Sequence, residues 1–364
     1  MSHKLKAATA VLAVSAMSIA SAPMAQAHGN HGHWTKTLST QVVAPFQLAV
    51  NHGDVYVADG GTSLVSKVRW NGDLKTVATG PQPGEVAGVA LDPSGRSLAY
   101  TSTNYAEGST SLTIKRKGHR AVTADLSGWE QTKNPDSNRT YGYSGSDPCV
   151  IQTLEQMTGG PAGYTGIVDS HPYSVTWAGH GNWIVADAGG NDLLMVNKWG
   201  KVRTLKVLPA QPLTVTQQMA DGLGMPACMV GVTYKFEPVP TDVEMDRHGM
   251  LWVSTLPGGP EDPSLGARGS VYKVNPWTKK ATRQATGFLG ATNLAVTGSG
   301  QVFVTELFGG QVSTIRHGKA MPYQKVANPL SIEAHGNRLY VGTMAPMDEQ
   351  GMPTGNGSII EIRR

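Results

Sequence analysis

The chain has 364 residues, 40% of them hydrophobic and only 7% aromatic, with 44 glycines and 22 prolines. That balance disfavours a helical protein and suits many short strands joined by turns. A formal charge of +4 is too small to imply a nucleic-acid partner.

The chain opens on an export pattern. Lys4 and Lys6 precede the apolar, small-residue run 7–20, and "AQA" at 25–27 supplies a cleavage site after Ala27. The run is too short to span a bilayer as a helix, which needs roughly 20 residues, and no later run is apolar enough to anchor the chain. Residues 1–27 are therefore expected to be a signal peptide, leaving a secreted, extracytoplasmic protein of formal charge +2. "HGNHGH" at 28–33 reads as a flexible linker, with capture of a soft metal by its imidazoles as the other reading.

From residue 33 onward one unit recurs. A first strand ("PFQLAV" at 45–50, "PYSVTW" at 172–177, "ATNLAV" at 291–296) leads through a Gly- or Asn-bearing turn into a second strand. The second strands alternate apolar residues and end on a polar one: "VYVAD" at 55–59, "LAYTS" at 98–102, "WIVAD" at 183–187, "LWVST" at 251–255, "VFVTE" at 302–306 and "LYVGT" at 339–343. A third and a more polar fourth strand follow, except that the sixth unit stops after its third at Arg364. Six such units of roughly 40 residues predict a six-bladed β-propeller as a single domain over 33–364. Segment 33–40 is expected to supply the missing strand and so close the ring without a free edge.

Two insertions interrupt the period, at about 131–169 and about 208–238. Within the first, "SDPCVIQTLEQM" predicts a short helix with Asp147 as N-cap and Pro148 in the first turn. Each insertion joins a fourth strand to the next first strand, so both belong on one face. Cys149 lies in one and Cys228 in the other, an even pair that in an exported protein predicts a disulfide. Long insertions of this kind form lids or binding edges, or a cap that merely covers the channel. "KRKGHR" at 115–120 reads as a solvated outer strand and turn.

The stretch 236–276, "FEPVPTDVEMDRHGMLWVSTLPGGPEDPSLGARGSVYKVNP", resembles the bacterial ScyD/ScyE family, as do "DSHPYSVTW" at 169–177 and "GLGMPACMVG" at 222–231. The resemblance spans most of the chain after the export segment. It implies an exported six-bladed propeller of the broad NHL and TolB-like group. It brings no reaction, so no residue inherits a catalytic role.

Candidate functional residues follow from the repeat alone. Asp59, Asp187 and Glu306 end second strands and are expected at a solvated channel rim, beside the first-strand residues Asp242 and Asn293. Carboxylates and an amide carbonyl suit a hard cation such as Ca2+, and Asp242, Asn293 and Glu306 are the candidate ligands. Six-bladed propellers of the gluconolactonase type use such a metal to polarise a lactone, an analogy at the level of fold. No G-x-S-x-G nucleophile motif occurs. Within "EDPSLGARGS", Glu261, Asp262 and Arg268 are expected either to contact a ligand or to brace a hairpin. Two functions remain open: a binding platform for a ligand or protein at the capped face, or a metal-assisted hydrolase or lactonase at the channel mouth.

Overall fold

The computed structural model describes residues 34–260 and 263–364. The export segment 1–27, the His/Gly stretch 28–32, Glu261 and Asp262 lie outside the described residues. The rest is predominantly β-structure, in antiparallel sheets of four strands that follow the chain in order.

The first sheet comprises Pro45–Asn51, Asp54–Asp59, Leu64–Val68 and Leu74–Thr79. The second runs Gly84–Leu91, Ser97–Asn104, Ser109–Arg116 and Val122–Asp125, and the third Pro172–Trp177, Trp183–Asp187, Asp192–Val196 and Val202–Val207. Pro240–Met245, Leu251–Thr255, Gly269–Val274 and Ala281–Phe288 form the fourth. The fifth is Ala291–Val296, Val302–Glu306, Gln311–Arg316 and Lys319–Lys325, tied to the fourth at one parallel bridge between Thr286 and Lys319. Pro329–His335, Arg338–Thr343 and Gly357–Arg363 make the sixth. Its outer strand is Thr35–Val42, from the opposite end of the sequence, paired antiparallel to Gly357–Arg363 from Thr35–Ile362 to Val42–Gly357.

Successive residues of the first and second strands are buried, as in Trp183–Asp187 and Val302–Glu306, so both faces of these strands must be covered. Ala49, Val65 and Ala78 of the first sheet pack on Val86 and Val89 of the second. Ile114 of the second meets Val175 and Trp183 of the third, and Ile184 and Leu193 of the third meet Val243 and Val253 of the fourth. The series continues through Phe288 with Leu294 and Phe303 with Ile332, and ends with Tyr340 and Ile359 of the sixth against Leu48 and Val57 of the first. Each buried Val, Leu, Ile or Phe contributes roughly 1.5–3 kcal/mol. First strands also contact in chain order, and Pro329–His335 touches Pro45–Asn51.

The two insertions build one further layer. Gly163–Thr165, Thr140–Gly142, Thr233–Phe236 and Gln211–Thr214 form a separate sheet drawn from both. The first insertion starts earlier than the sequence pattern indicates, with a helix at Leu126–Lys133 capped by Asp125. The helix Pro148–Thr158 has Asp147 as its N-cap, accepting from the N–H groups of Cys149 and Val150. It packs Val150 and Leu154 against Val215, Ala220 and Met229 of the second insertion. Cys149 and Cys228 join the two covalently, with Cα atoms 6.4 Å apart.

Deleting residues up to Val42 uncovers the Gly357–Arg363 edge and removes Leu38 and Val42 from the cluster between the sixth and first sheets. The expected outcome is a melting temperature several degrees lower and concentration-dependent aggregation, read by calorimetry and light scattering. An unchanged melt would show that this pairing contributes nothing.

Candidate functional site

Every first strand breaks register with its partner just after its start. The break falls between Pro45 and Gln47, Val86 and Val89, Pro172 and Ser174, Pro240 and Asp242, Ala291 and Asn293, and Pro329 and Ser331. A bulge of this kind re-aims the skipped side chain. Phe46, Tyr173, Thr241, Thr292 and Leu330 are skipped residues, and all five line a cavity of about 340 Å³. The outer wall comes from residues just past the second strands, including Gly60, Leu256, Phe308 and Met344, and from Met347 and Gln350. Phe46 meets Tyr173 edge-on with ring centroids 5.4 Å apart. The volume and the mainly apolar wall suit a small ligand.

One residue beyond each bulge, the side chain turns sideways to the next sheet. Ser174 Oγ accepts from Val243 N at 2.9 Å, Asp242 Oδ2 from Leu294 N at 2.9 Å, and Asn293 Oδ1 from Ile332 N at 2.8 Å. Gly88 has no side chain to offer, and a Cβ there would lie 2.9 Å from Thr101 Oγ1 and 3.0 Å from the Ser174 Cα. Gln47 reaches across instead: its Oε1 accepts from both Val89 N (2.8 Å) and Val175 N (3.1 Å), and its Nε2 donates to Asp242 Oδ1 (3.2 Å). Asn293 Nδ2 and Ser331 Oγ are buried with no hydrogen-bond partner among the described residues.

The candidate rim residues are not solvated. Asp59, Asp187, Asp242, Asn293 and Glu306 are each at most 2% exposed. Asp59 accepts from Val43 N and Ala44 N, Asp187 from His171 N and Gly190 N, and Glu306 from Leu289 N. Each carboxylate at a second-strand end thus clasps the backbone leading into its own first strand. Glu306 is further bonded to Ser313 Oγ and Gln311 Nε2. A buried carboxylate needs such donors, and this one satisfies its oxygens in its own sheet, whereas Asp242 and Asn293 bond sideways. Among the described residues no three His, Cys, Asp or Glu side chains form a group able to hold a metal. Arg268 braces its loop, donating to the Gly258 and Pro260 carbonyls.

Two groups absent from the sequence reading stand at the mouth. Glu85 lines the cavity and is hydrogen-bonded to His171 Nε2. Burial disfavours a charged imidazole, yet the Glu85 bond and charge, helped by Asp187 and Asp169, hold the His171 pKa above its ordinary value. Beneath the insertions lie further acids. Glu130, Asp136 and Asp192 are fully buried, pair with no lysine or arginine at salt-bridge distance among the described residues, and each keeps at least one oxygen without a hydrogen bond. Burial, then the charges of Asp187 and Asp136, push Glu130 up to about 8. Burial and the neighbouring acids push Asp192 well above the carboxylate range as well. In the channel, burial raises Asp242 to about 7 and Glu333 to about 8. Burial thus favours the protonated form of each of these carboxyls.

No family model and no curated protein sequence matches the chain. Solved structures do. A Thermus thermophilus protein assigned as an oxidoreductase (glucose dehydrogenase) superposes with a TM-score of 0.53 at 14% identity, covering 91% of this chain and 100% of its own. A Xanthomonas campestris gluconolactonase gives 0.50 at 11%, covering 90% and 89%, and a Bacteroides thetaiotaomicron protein of unknown function gives 0.51 at 11%, covering 90% and 75%. The fold is a β-propeller. The likeness ends at the fold, since the identities are low and the described activities differ.

Two measurements probe the site's construction. Gln47→Ala leaves the N–H groups of Val89 and Val175 buried without an acceptor, and is expected to cost about 2–5 kcal/mol in denaturant unfolding. Glu130 titrates near 8 folded and near 4.5 unfolded, so the native state holds the extra proton between these values. Its stabilising contribution is complete below the lower pH and lost as pH rises through the upper one. The melting temperature is therefore expected to fall from mildly acidic to mildly alkaline pH, and Glu130→Gln to flatten that fall; a slope unchanged by the substitution would exclude Glu130 as its source.

Proposed function

We propose that this protein is an exported six-bladed β-propeller, its ring closed by the N-terminal strand, that binds a small, largely apolar ligand at the capped mouth of its channel. The carrying observation is the repeated bulge, which turns Phe46, Tyr173 and Leu330 into one cavity instead of into the sheet stacks. Glu85, Thr241 and Thr292 give that wall a few polar points, the usual composition of a site that orients a ligand after apolar burial has supplied the affinity. Export rests on the charged start, apolar run and cleavage pattern of residues 1–27, and the ScyD/ScyE resemblance agrees with it. Asp59, Asp187, Asp242, Asn293 and Glu306 act in this reading as the frame of the mouth, holding the loops and first strands that carry the lining. Their bonds to backbone N–H groups favour a binding platform over a metal-assisted hydrolase.

The test is a thermal-shift and fluorescence screen with small aromatic and alicyclic compounds, comparing the native chain with Leu330→Trp, which narrows the cavity. Binders are expected to raise the melting temperature of the native chain by a few degrees and to lose at least roughly tenfold in affinity on Leu330→Trp, about 1.4 kcal/mol. Compounds that bind both proteins equally would place the site elsewhere.

A further inference from the structure

The lateral bonds between first strands have a constant offset: a residue at the third position reaches the fourth position of the next strand, as in Ser174 to Val243, Asp242 to Leu294 and Asn293 to Ile332. First strands therefore run in the same sense. In a four-stranded meander the turn after the first strand and the turn after the third leave at the same edge, so all these turns share the face opposite the insertions. That face carries three nearly bare tryptophans. Trp70, Trp199 and Trp277, at the third-to-fourth turns of the first, third and fourth sheets, are 98%, 72% and 70% exposed. Asn197 Oδ1 and Asn275 Oδ1 accept from the N–H groups of Trp199 and Trp277 and fix these turns. Trp34 takes the corresponding place in the sixth sheet, where Arg363 lies over its ring at 4.3 Å.

The charge on this face is strongly one-sided. Its turns and strand ends expose Lys117 and Arg120, Lys201, Arg247, Lys280 and Arg364, among other cations. Its acids are fewer: Asp54 and Asp246 pair with Lys67 and Lys273, while Asp92 and Asp73 keep their charge and bond only neutral partners. Exposed acids such as Asp147, Glu155, Asp221 and Glu349 lie on the insertion side, which is why the formal net charge is small.

We propose that this face docks on an anionic lipid surface, with Trp70, Trp199 and Trp277 entering the headgroup region and the surrounding lysines and arginines meeting lipid phosphates. Tryptophan favours the interface because its ring is amphipathic, and basic residues near an anionic leaflet each add attraction that salt screens. The three turns belong to different sheets and share one face, an arrangement that fits a plane better than an extended polymer. No helix among the described residues is long and apolar enough to cross a membrane, and the contact proposed is one at the surface.

The experiment uses the chain from His28 on, which keeps every described residue and removes the apolar run 7–20 as a source of lipid binding. It is sedimented with vesicles of phosphatidylcholine alone or mixed with phosphatidylglycerol, and tryptophan emission is followed with brominated lipids as quenchers. Binding to the mixed vesicles only, weakened by salt and accompanied by quenching, is expected. Replacing Trp70, Trp199 and Trp277 by Ala should weaken it roughly tenfold or more, and Lys201→Glu with Lys280→Glu should do likewise. These residues are exposed, and an unchanged melt will show that the variants fold. No binding to the anionic vesicles at low salt, or binding indifferent to the tryptophans, overturns the proposal. So does equal binding to a soluble acidic polysaccharide, which would mark a general polyanion contact.

Discussion

The structure depends on a side chain of one sheet reaching a backbone N–H of the next. Apolar packing holds neighbouring sheets together, but it is non-directional and would tolerate sliding. The bonds from Ser174, Asp242 and Asn293 to a fixed position on the following strand set the register between sheets. Gln47 is the long member of the set, serving two strands because Gly88 between them cannot bear a side chain. The height at which the bulged residues meet around the mouth follows from that register.

Burial explains how the acids are used. Asp59, Asp187 and Glu306 exchange water for donors from the incoming loop and from their own sheet, so the turn at the end of each of those second strands is held in place. Glu130 and Asp192 receive no such set of donors. For them the protonated form is the cheaper state, since a buried carboxylate without a counterion is costly to ionise. One side of the molecule thus contains both kinds of acid, and residue type alone does not separate them.

Most of the fold was legible because alternation with period two survives insertions, and because matched first and second strands recur along the chain. The Asp147–Pro148 helix start and the even cysteine pair were legible for local reasons of the same sort. The bulges were not: one extra residue in a strand changes which side chain faces the mouth and leaves the alternation of its neighbours intact. Nothing in the alternation therefore singles out Phe46 and Tyr173, and position at a strand end alone placed Asp59 and Glu306 at a wet rim. The cap strands Thr140–Gly142 and Gly163–Thr165 are too short to show a period, and their partners come from the other insertion. Glu85 and His171 are far apart in sequence and carry no motif. Net charge also concealed the basic face, because a formal sum does not record where the charged side chains lie.

The sheet that contains Thr35–Val42 and Gly357–Arg363 has a consequence for the life of the chain. Its outer strand is synthesised before every other described strand and its partner after all of them. The early strand must wait without its native partner until Gly357–Arg363 emerges, so this sheet cannot form before then. A chain crossing a membrane N-terminus first would keep this sheet unfinished, and the early strand threadable, until Gly357–Arg363 had followed. Loss of either segment would also be the same lesion, because each is one half of a single strand pair.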